Sequence, residues 1–186
     1  MGLLNDEKLL DLLLKQRLIT NTQKQFILRH KDRQKQKLTS LLSGQEKKQL
    51  GNKGFPDLVD IIASLKLEVR TSGDKKEVLS EEMIMRAVSR TLRIPFKKLD
   101  PLELDIEVVT KTIPRSFAIN HLILPFEVRN GVLQVVTYNP DNQTALEDIE
   151  QAHQVKLNPW LSTRTDIRKI LSEFFGFQRS ITAAEN

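Results

Sequence analysis

The sequence predicts an α+β fold: an N-terminal helical region, then a small α/β sandwich domain with the element order α-β-β-α-β-α. Three observations predict it. Leucine-rich stretches at helical spacing recur through the first third of the chain. Asn130-Gly131 stands between two apolar runs, where both central residues of a type I′ hairpin turn need positive φ. A helix-length segment separates the last two apolar runs, so those two strands can lie parallel, joined by a right-handed crossover.

The elements follow in order. Asn5 caps a helix through Arg17, in which Leu9, Leu10, Leu12, Leu13 and Leu14 are more apolar than one narrow stripe needs. Thr22 and Gln25 stand at capping-box spacing and open a second helix. That helix carries Phe26, Ile27 and Leu28, turns very polar over residues 29–37, and resumes an apolar face at Leu38, Leu41 and Leu42. Residues 43–55, with three glycines, read as a loop. Pro56 suits the first turn of a helix through Leu67, and residues 70–78 read as a mobile linker. Ser80 caps the next helix, with Glu81 and Glu82 favourable beside its N-terminal dipole. Ile94-Pro95-Phe96 is extended. Residues 103–112 form a short helix ended by Pro114, and residues 116–120 add a turn. Strands follow over 123–129 and 132–138. Asn139-Pro140-Asp141-Asn142 ends the second strand and caps a helix, proline fixing φ and an Asn or Asp oxygen taking orphan amides. Residues 155–161 return as a strand, Ser162 caps a final helix, and Gly176 stops it. The expected domains are residues 1–78, a helical module; 79–177, the α+β domain; and 178–186, a linker or frayed tail.

The chain has 186 residues, 39% hydrophobic and 28% charged, enough for one large domain or two small ones with a real core. It has no cysteine, which excludes disulfides and thiolate metal sites. No basic segment precedes an apolar stretch at the start, and no apolar run reaches the ~18 residues of a membrane span. A soluble, cytoplasmic protein is expected. The formal charge of +5 is uneven: residues 1–54 hold 12 Lys/Arg against 5 Asp/Glu. Such a basic third attracts an acidic protein face, a phosphate ligand, anionic lipid or nucleic acid, unless it is only a solvated helix face. The few aromatics and the absence of any nucleic-acid motif disfavour nucleic acid.

LLDLLLKQRL (9–18) lies on LVDIIASLKL (58–67) without gaps, with Leu9/Leu58, Asp11/Asp60 and Leu18/Leu67 identical and Arg17/Lys66 both basic. Each copy precedes a polar segment and a Ser/Thr-capped helix, so two similar helical hairpins around a pseudo-twofold axis are expected. No catalytic constellation is present. There is no P-loop, no HExxH, no GxSxG and no cysteine nucleophile, and His30, His121 and His153 are isolated. No catalytic, cofactor-binding or metal-binding residue is expected.

LSEEMIMRAVSRTLRIPFKKLDPLELD, ILPFEVRNGVLQVVTYNPDN and LEDIEQAHQVKLNPWLSTRTDIRKIL together resemble the N-terminal, MshEN-like domain of the type II secretion and type IV pilus assembly ATPases. Arg93-Ile94-Pro95-Phe96, Leu124-Pro125 and Tyr138-Asn139-Pro140 stand where that family shows a Gly-Ile-Pro-like turn, an L-Pro strand and an Ala-Asp-Pro-like loop. The resemblance covers about residues 79–177. It implies a non-catalytic docking and regulatory domain that anchors a motor to the cytoplasmic domain of an inner-membrane platform protein. ATP and magnesium would then belong to the motor domain of the parent chain, and the protein would be peripheral to the inner membrane through its partner. The chain is expected to be an excised fragment or a standalone relative.

The first 78 residues look like a degraded form of the family's helical module, which in some members binds cyclic di-GMP through paired Arg-Leu-Gly…Leu…Gly segments. Here Lys8 takes the arginine place, and Leu10 and Arg17 take the glycine places. Asp57, Val59 and Lys66 take the same three places in the second segment. A cyclic di-GMP-sensing module is therefore the alternative, opposed by the missing glycines, which would let backbone approach the ligand. The partner surface expected from charge is Arg17, Lys24, Arg29 and Lys31.

Overall fold

Capping chemistry sets where the first helices begin. In the computed structural model, which describes residues 5–44, 55–70 and 75–184 and side chains as far as Gly176, α1 spans Asp6–Lys15 and Asn5 Oδ1 accepts the Glu7 amide at 2.9 Å. α2 spans Asn21–Ser40 and opens on a reciprocal capping box, two residues earlier than expected. Thr20 Oγ1 accepts the Gln23 amide at 3.1 Å, and Gln23 Oε1 accepts the Thr20 amide at 2.9 Å. Thr-Asn-Thr-Gln-Lys-Gln offers the same spacing twice; the copy at Thr20 wins because the chain has just left α1. The Gln23 amide then donates to the Glu68 carbonyl at 2.7 Å, which fixes that choice.

Two compact units divide the chain, Met1–Thr91 and Leu92–Asn186, whereas the boundary was expected at 78/79. In the first unit α3 spans Leu58–Ser64. It is capped by Asp57 with Asp60, so Pro56 lies before the helix rather than in its first turn. The expected loop at 43–55 lies mostly outside the described residues, as do residues 71–74. Within 70–78 the expected linker is corrected at both ends: β1 (Glu68–Arg70) pairs antiparallel with β2 (Lys76–Val78). Three-residue strands with only Val69 buried give too short an alternation to read. α4 spans Glu81–Leu92, with Ser80 Oγ accepting the Met83 amide at 3.2 Å. Leu9, Leu10 and Leu13 of α1, Ile27 of α2, Ile62 of α3 and Ile84 and Met85 of α4 are all 1% exposed or less. Gln16 ties α1 to α4: its amide donates to the Ala87 carbonyl and to Thr91 Oγ1, both at 2.7 Å, while its carbonyl accepts from Arg90.

The second unit is built on a three-stranded sheet of order β3-β4-β5, with β3 at Ile123–Arg129, β4 at Val132–Thr137 and β5 at Lys156–Leu161. β3 and β4 are antiparallel, and β4 and β5 parallel, as expected. Asn130 (φ 51°) and Gly131 (φ 74°) both occupy the left-handed region, which gives the type I′ turn. Pro125 cannot donate to a ladder; it sits on the end strand beside a register shift between 125 and 127. Residues 95–97 run along the other side of β5. Leu161 N donates to the Pro95 carbonyl at 2.8 Å, and Lys97 N to the Leu161 carbonyl at 2.9 Å.

α5 (Ile106–Lys111) and α6 (Arg115–His121) pack on β3, and Pro114 begins α6 as well as ending α5. α7 (Gln143–His153) forms the crossover and contacts β5. α8 spans Arg164–Ala184, running through Gly176 instead of stopping there, so the expected frayed tail is helical as far as Ala184. Its cap is Thr163, which accepts the Asp166 amide at 3.0 Å, and not Ser162, whose hydroxyl is buried without a hydrogen bond among the described residues. On the sheet, buried Gln134 accepts from Asn158 Nδ2 at 2.7 Å and Trp160 Nε1 at 3.0 Å, and Trp160 meets Phe126 edge-on.

Thr20→Ala is expected to cost about 1 kcal/mol of stability and Thr22→Ala no more than about 0.5 kcal/mol, by urea denaturation followed by far-UV circular dichroism.

Candidate functional site

α2 carries the largest excess of cations among the described helices. It carries Lys24, Arg29, Lys31, Arg33, Lys35 and Lys37 against a single acid, Asp32. The helical period sorts these cations by azimuth. Lys24 and Lys31, seven residues apart, face α1. Lys24 Nζ lies 2.6 Å from Asp11 Oδ1, and Lys31 Nζ 3.2 Å from Asp6 Oδ2. Ile27 is fully buried, and Gln34 on the same inner side donates to Ser64 Oγ of α3 at 3.0 Å. Arg29, Arg33 and Lys37 recur every fourth residue on the outer side. All three are exposed and make no ion pair among the described residues. Phe26, 41% exposed and stacked on His30 at 4.1 Å between ring centroids, stands one turn before Arg29.

Of the four positions expected from sequence, Arg29 therefore lies on the open face, and Lys24 and Lys31 on the side engaged with α1. Arg17 is exposed just beyond α1 with φ 58°. Sequence reasoning passed over Arg33 and Lys37, although their four-residue spacing from Arg29 was there to read.

A cleft of about 260 Å³ lies where the start of α1, α2 and the start of α3 meet, lined by Asp6, Lys31, Asp32, Lys35, Asp57 and Ile61 among others. It falls below the roughly 300–1,000 Å³ of ordinary ligand pockets, and its carboxylates offset its ammonium groups. Among the described residues no group of three or more His, Asp or Glu could hold a metal ion. No helix among them is long and apolar enough to cross a membrane.

The internal repeat has a structural counterpart. Leu9, Leu10 and Leu13 are buried in α1, and their equivalents Leu58, Val59 and Ile62 in α3. Both copies then turn through a left-handed residue at the aligned position, Arg17 at φ 58° and Lys66 at φ 53°. At the first, Leu18 N donates to the Leu13 carbonyl and Arg17 N to the Leu14 carbonyl, both at 2.9 Å, the paired bonds of a Schellman stop. The copies differ after that turn: the first passes directly into α2, while the second passes through β1 and β2 before α4.

In the second unit, the loop after β4 is held from within. Thr137 Oγ1 donates to the Asn139 carbonyl and accepts the Asn139 amide, and Asn139 Oδ1 accepts the Asp141 amide at 3.1 Å. Asn142 begins α7, but the expected side-chain cap is absent. Its amide instead meets His121 Nδ1 at 2.9 Å, tying the crossover to the end of α6. The Arg164 guanidinium lies over the Tyr138 ring at 4.4 Å. Thr137, Asn139 and Asp141 bond to one another, so this stretch of the loop serves the fold.

The MshEN domain family model matches residues 92–181, nearly the whole of the second unit. The Arg93–Phe96 turn, Leu124-Pro125 and the Tyr138–Pro140 loop all lie inside the matched segment. Two solved structures share the fold. A structure of MshE with cyclic di-GMP (cdg) has a TM-score of 0.56 at 17% identity, covering 89% of this chain and 97% of that one. The N-terminal domain of XpsE has a TM-score of 0.51 at 16% identity, covering 90% and 93%. No curated protein matches the chain.

A left-handed conformation costs a non-glycine residue about 1–2 kcal/mol. Arg17→Gly and Lys66→Gly are each expected to raise stability by roughly 0.5–1 kcal/mol in urea denaturation, after the greater unfolded-state entropy of glycine is set against that relief.

Proposed function

We propose that this chain is a non-catalytic docking and regulatory domain of a type II secretion or type IV pilus assembly ATPase, linking the motor to the cytoplasmic domain of an inner-membrane platform protein. The observation that carries this reading is the match of residues 92–181 to the MshEN domain. The likeness in fold to the XpsE N-terminal domain supports it. On this reading ATP and magnesium are handled by the motor domain of the parent chain, and the protein is held at the cytoplasmic face of the inner membrane through its partner. Arg17, Lys24, Arg29 and Lys31 are the proposed contributors from the basic region. Arg29 is the best placed of them, because Lys24 and Lys31 would first have to leave Asp11 and Asp6.

The test uses the purified chain immobilised against the cytoplasmic domains of the platform proteins from its own host. Saturable retention of one of them, with no ATP hydrolysis by the chain alone, is the expected result. Absence of retention by every platform domain, or hydrolysis that persists through repeated purification, overturns the reading.

A second reading, cyclic di-GMP sensing, is favoured by one observation, the fold shared with MshE solved with that nucleotide. The side chains in the glycine places oppose it. Leu10 and Val59 are each 1% exposed and fill the core, and Arg17 and Lys66 put long side chains on turns where backbone would need to be bare. Isothermal titration to ~1 mM cyclic di-GMP is expected to give no binding heat, an affinity weaker than about −4 kcal/mol.

A further inference from the structure

We infer that the outer face of α2 is a linear docking stripe for an acidic helix of a partner protein. The inference rests on the docking reading above and names the chemistry of the partner surface. α2 uses its inner side for the core, through Ile27 and Gln34, and its flank toward α1 for the pairs of Lys24 and Lys31 with Asp11 and Asp6. Arg29, Arg33 and Lys37 remain in one row, exposed and without an ion pair among the described residues. At 1.5 Å rise per residue, cations four residues apart stand about 6 Å from one another along the axis, and the row is about 12 Å long. Carboxylates at i, i+4 and i+8 of another helix have the same spacing, so three charge pairs form in one register when the two helices lie side by side. Two arginines in the row favour carboxylate, whose two oxygens match the guanidinium fork.

The alternatives fit the face less well. An amphipathic helix that lies in a membrane needs one continuous free apolar face, and here Ile27 is buried within the unit while the exposed Phe26 and Leu28 stand on opposite flanks of it. A nucleic acid would bring a continuous line of phosphates past Asp32, which is exposed beside Arg29 and Arg33 and repels them. A helix of mixed charge can set a lysine opposite Asp32. Phe26 at the head of the row gives an aliphatic partner side chain a half-exposed ring to cover.

The probe is a fluorescent helical peptide with glutamates at i, i+4 and i+8 on one face. It is compared with a scrambled peptide of the same composition, phosphatidylglycerol vesicles and a single-stranded oligonucleotide, all against the full chain by anisotropy or co-sedimentation in about 50 mM salt, where charge pairing is weakly screened. The patterned peptide is expected to bind at least tenfold more tightly than the scrambled one. Arg29→Glu/Arg33→Glu/Lys37→Glu is expected to abolish that preference, and the milder Arg29→Gln/Arg33→Gln/Lys37→Gln to reduce it severalfold, both with an unchanged circular dichroism spectrum. Lys24→Gln is expected to change it less than twofold. Equal binding of the two peptides, or vesicles or oligonucleotide bound more tightly and released by the charge reversal, overturns the stripe. A platform domain that still binds the triple reversal also overturns it while leaving docking intact. A wild-type chain that binds no platform domain but keeps the peptide preference fails the docking reading and leaves the stripe.

Discussion

Left-handed chain reversal without glycine is the constraint on which this structure depends. Five of the described helices end within two residues of a non-glycine residue at positive φ: α1 at Arg17, α3 at Lys66, α4 at Arg93, α6 at Leu122 and α7 at Gln154. A left-handed residue lets the next amides fold back onto the last free carbonyls of a helix, which closes the hydrogen-bond account and redirects the chain. Each is strained without glycine, so packing must hold it. Where packing is visible it is dense: Leu13 is fully buried one turn before Arg17, Ile62 likewise before Lys66, and Ala118 before Leu122. The turns and the core are therefore mutually dependent, and loosening either releases the other.

This constraint also explains what the sequence revealed. Helix starts were legible at Asn5 and Ser80, because a short oxygen-bearing side chain is required there and few residues supply one. The hairpin was legible because Asn-Gly answers a φ requirement at two successive positions. Helix ends were not. Glycine is the usual sign of a stop, and here the stops carry arginine, lysine, leucine or glutamine, while Gly176 lies inside α8. β1 and β2 escaped notice because three residues cannot display a period. The cap at Asn142 was misread because its amide is used across the fold, by His121.

The basic surface was half legible for a related reason. Charge is a property of composition, and the excess in the first third was plain. Which cations stay free is decided by what the opposite helix presents, and Asp6 and Asp11 become relevant only once α1 and α2 lie alongside each other. Sequence alone weights Lys24 and Arg29 equally; the fold separates them by pairing one.

The hydrogen-bonded Trp160 beside Phe126 has a spectroscopic consequence. The chain has one tryptophan and one tyrosine, Trp160 and Tyr138, and both belong to the second unit. Tryptophan and tyrosine fluorescence and most near-ultraviolet absorption thus come from the second unit, while the first contributes only the weak absorption of its phenylalanines. Helical signal in the far ultraviolet comes from both. Heating one sample while following the two signals together measures whether the units melt as one cooperative body or as two, with no label and no truncation.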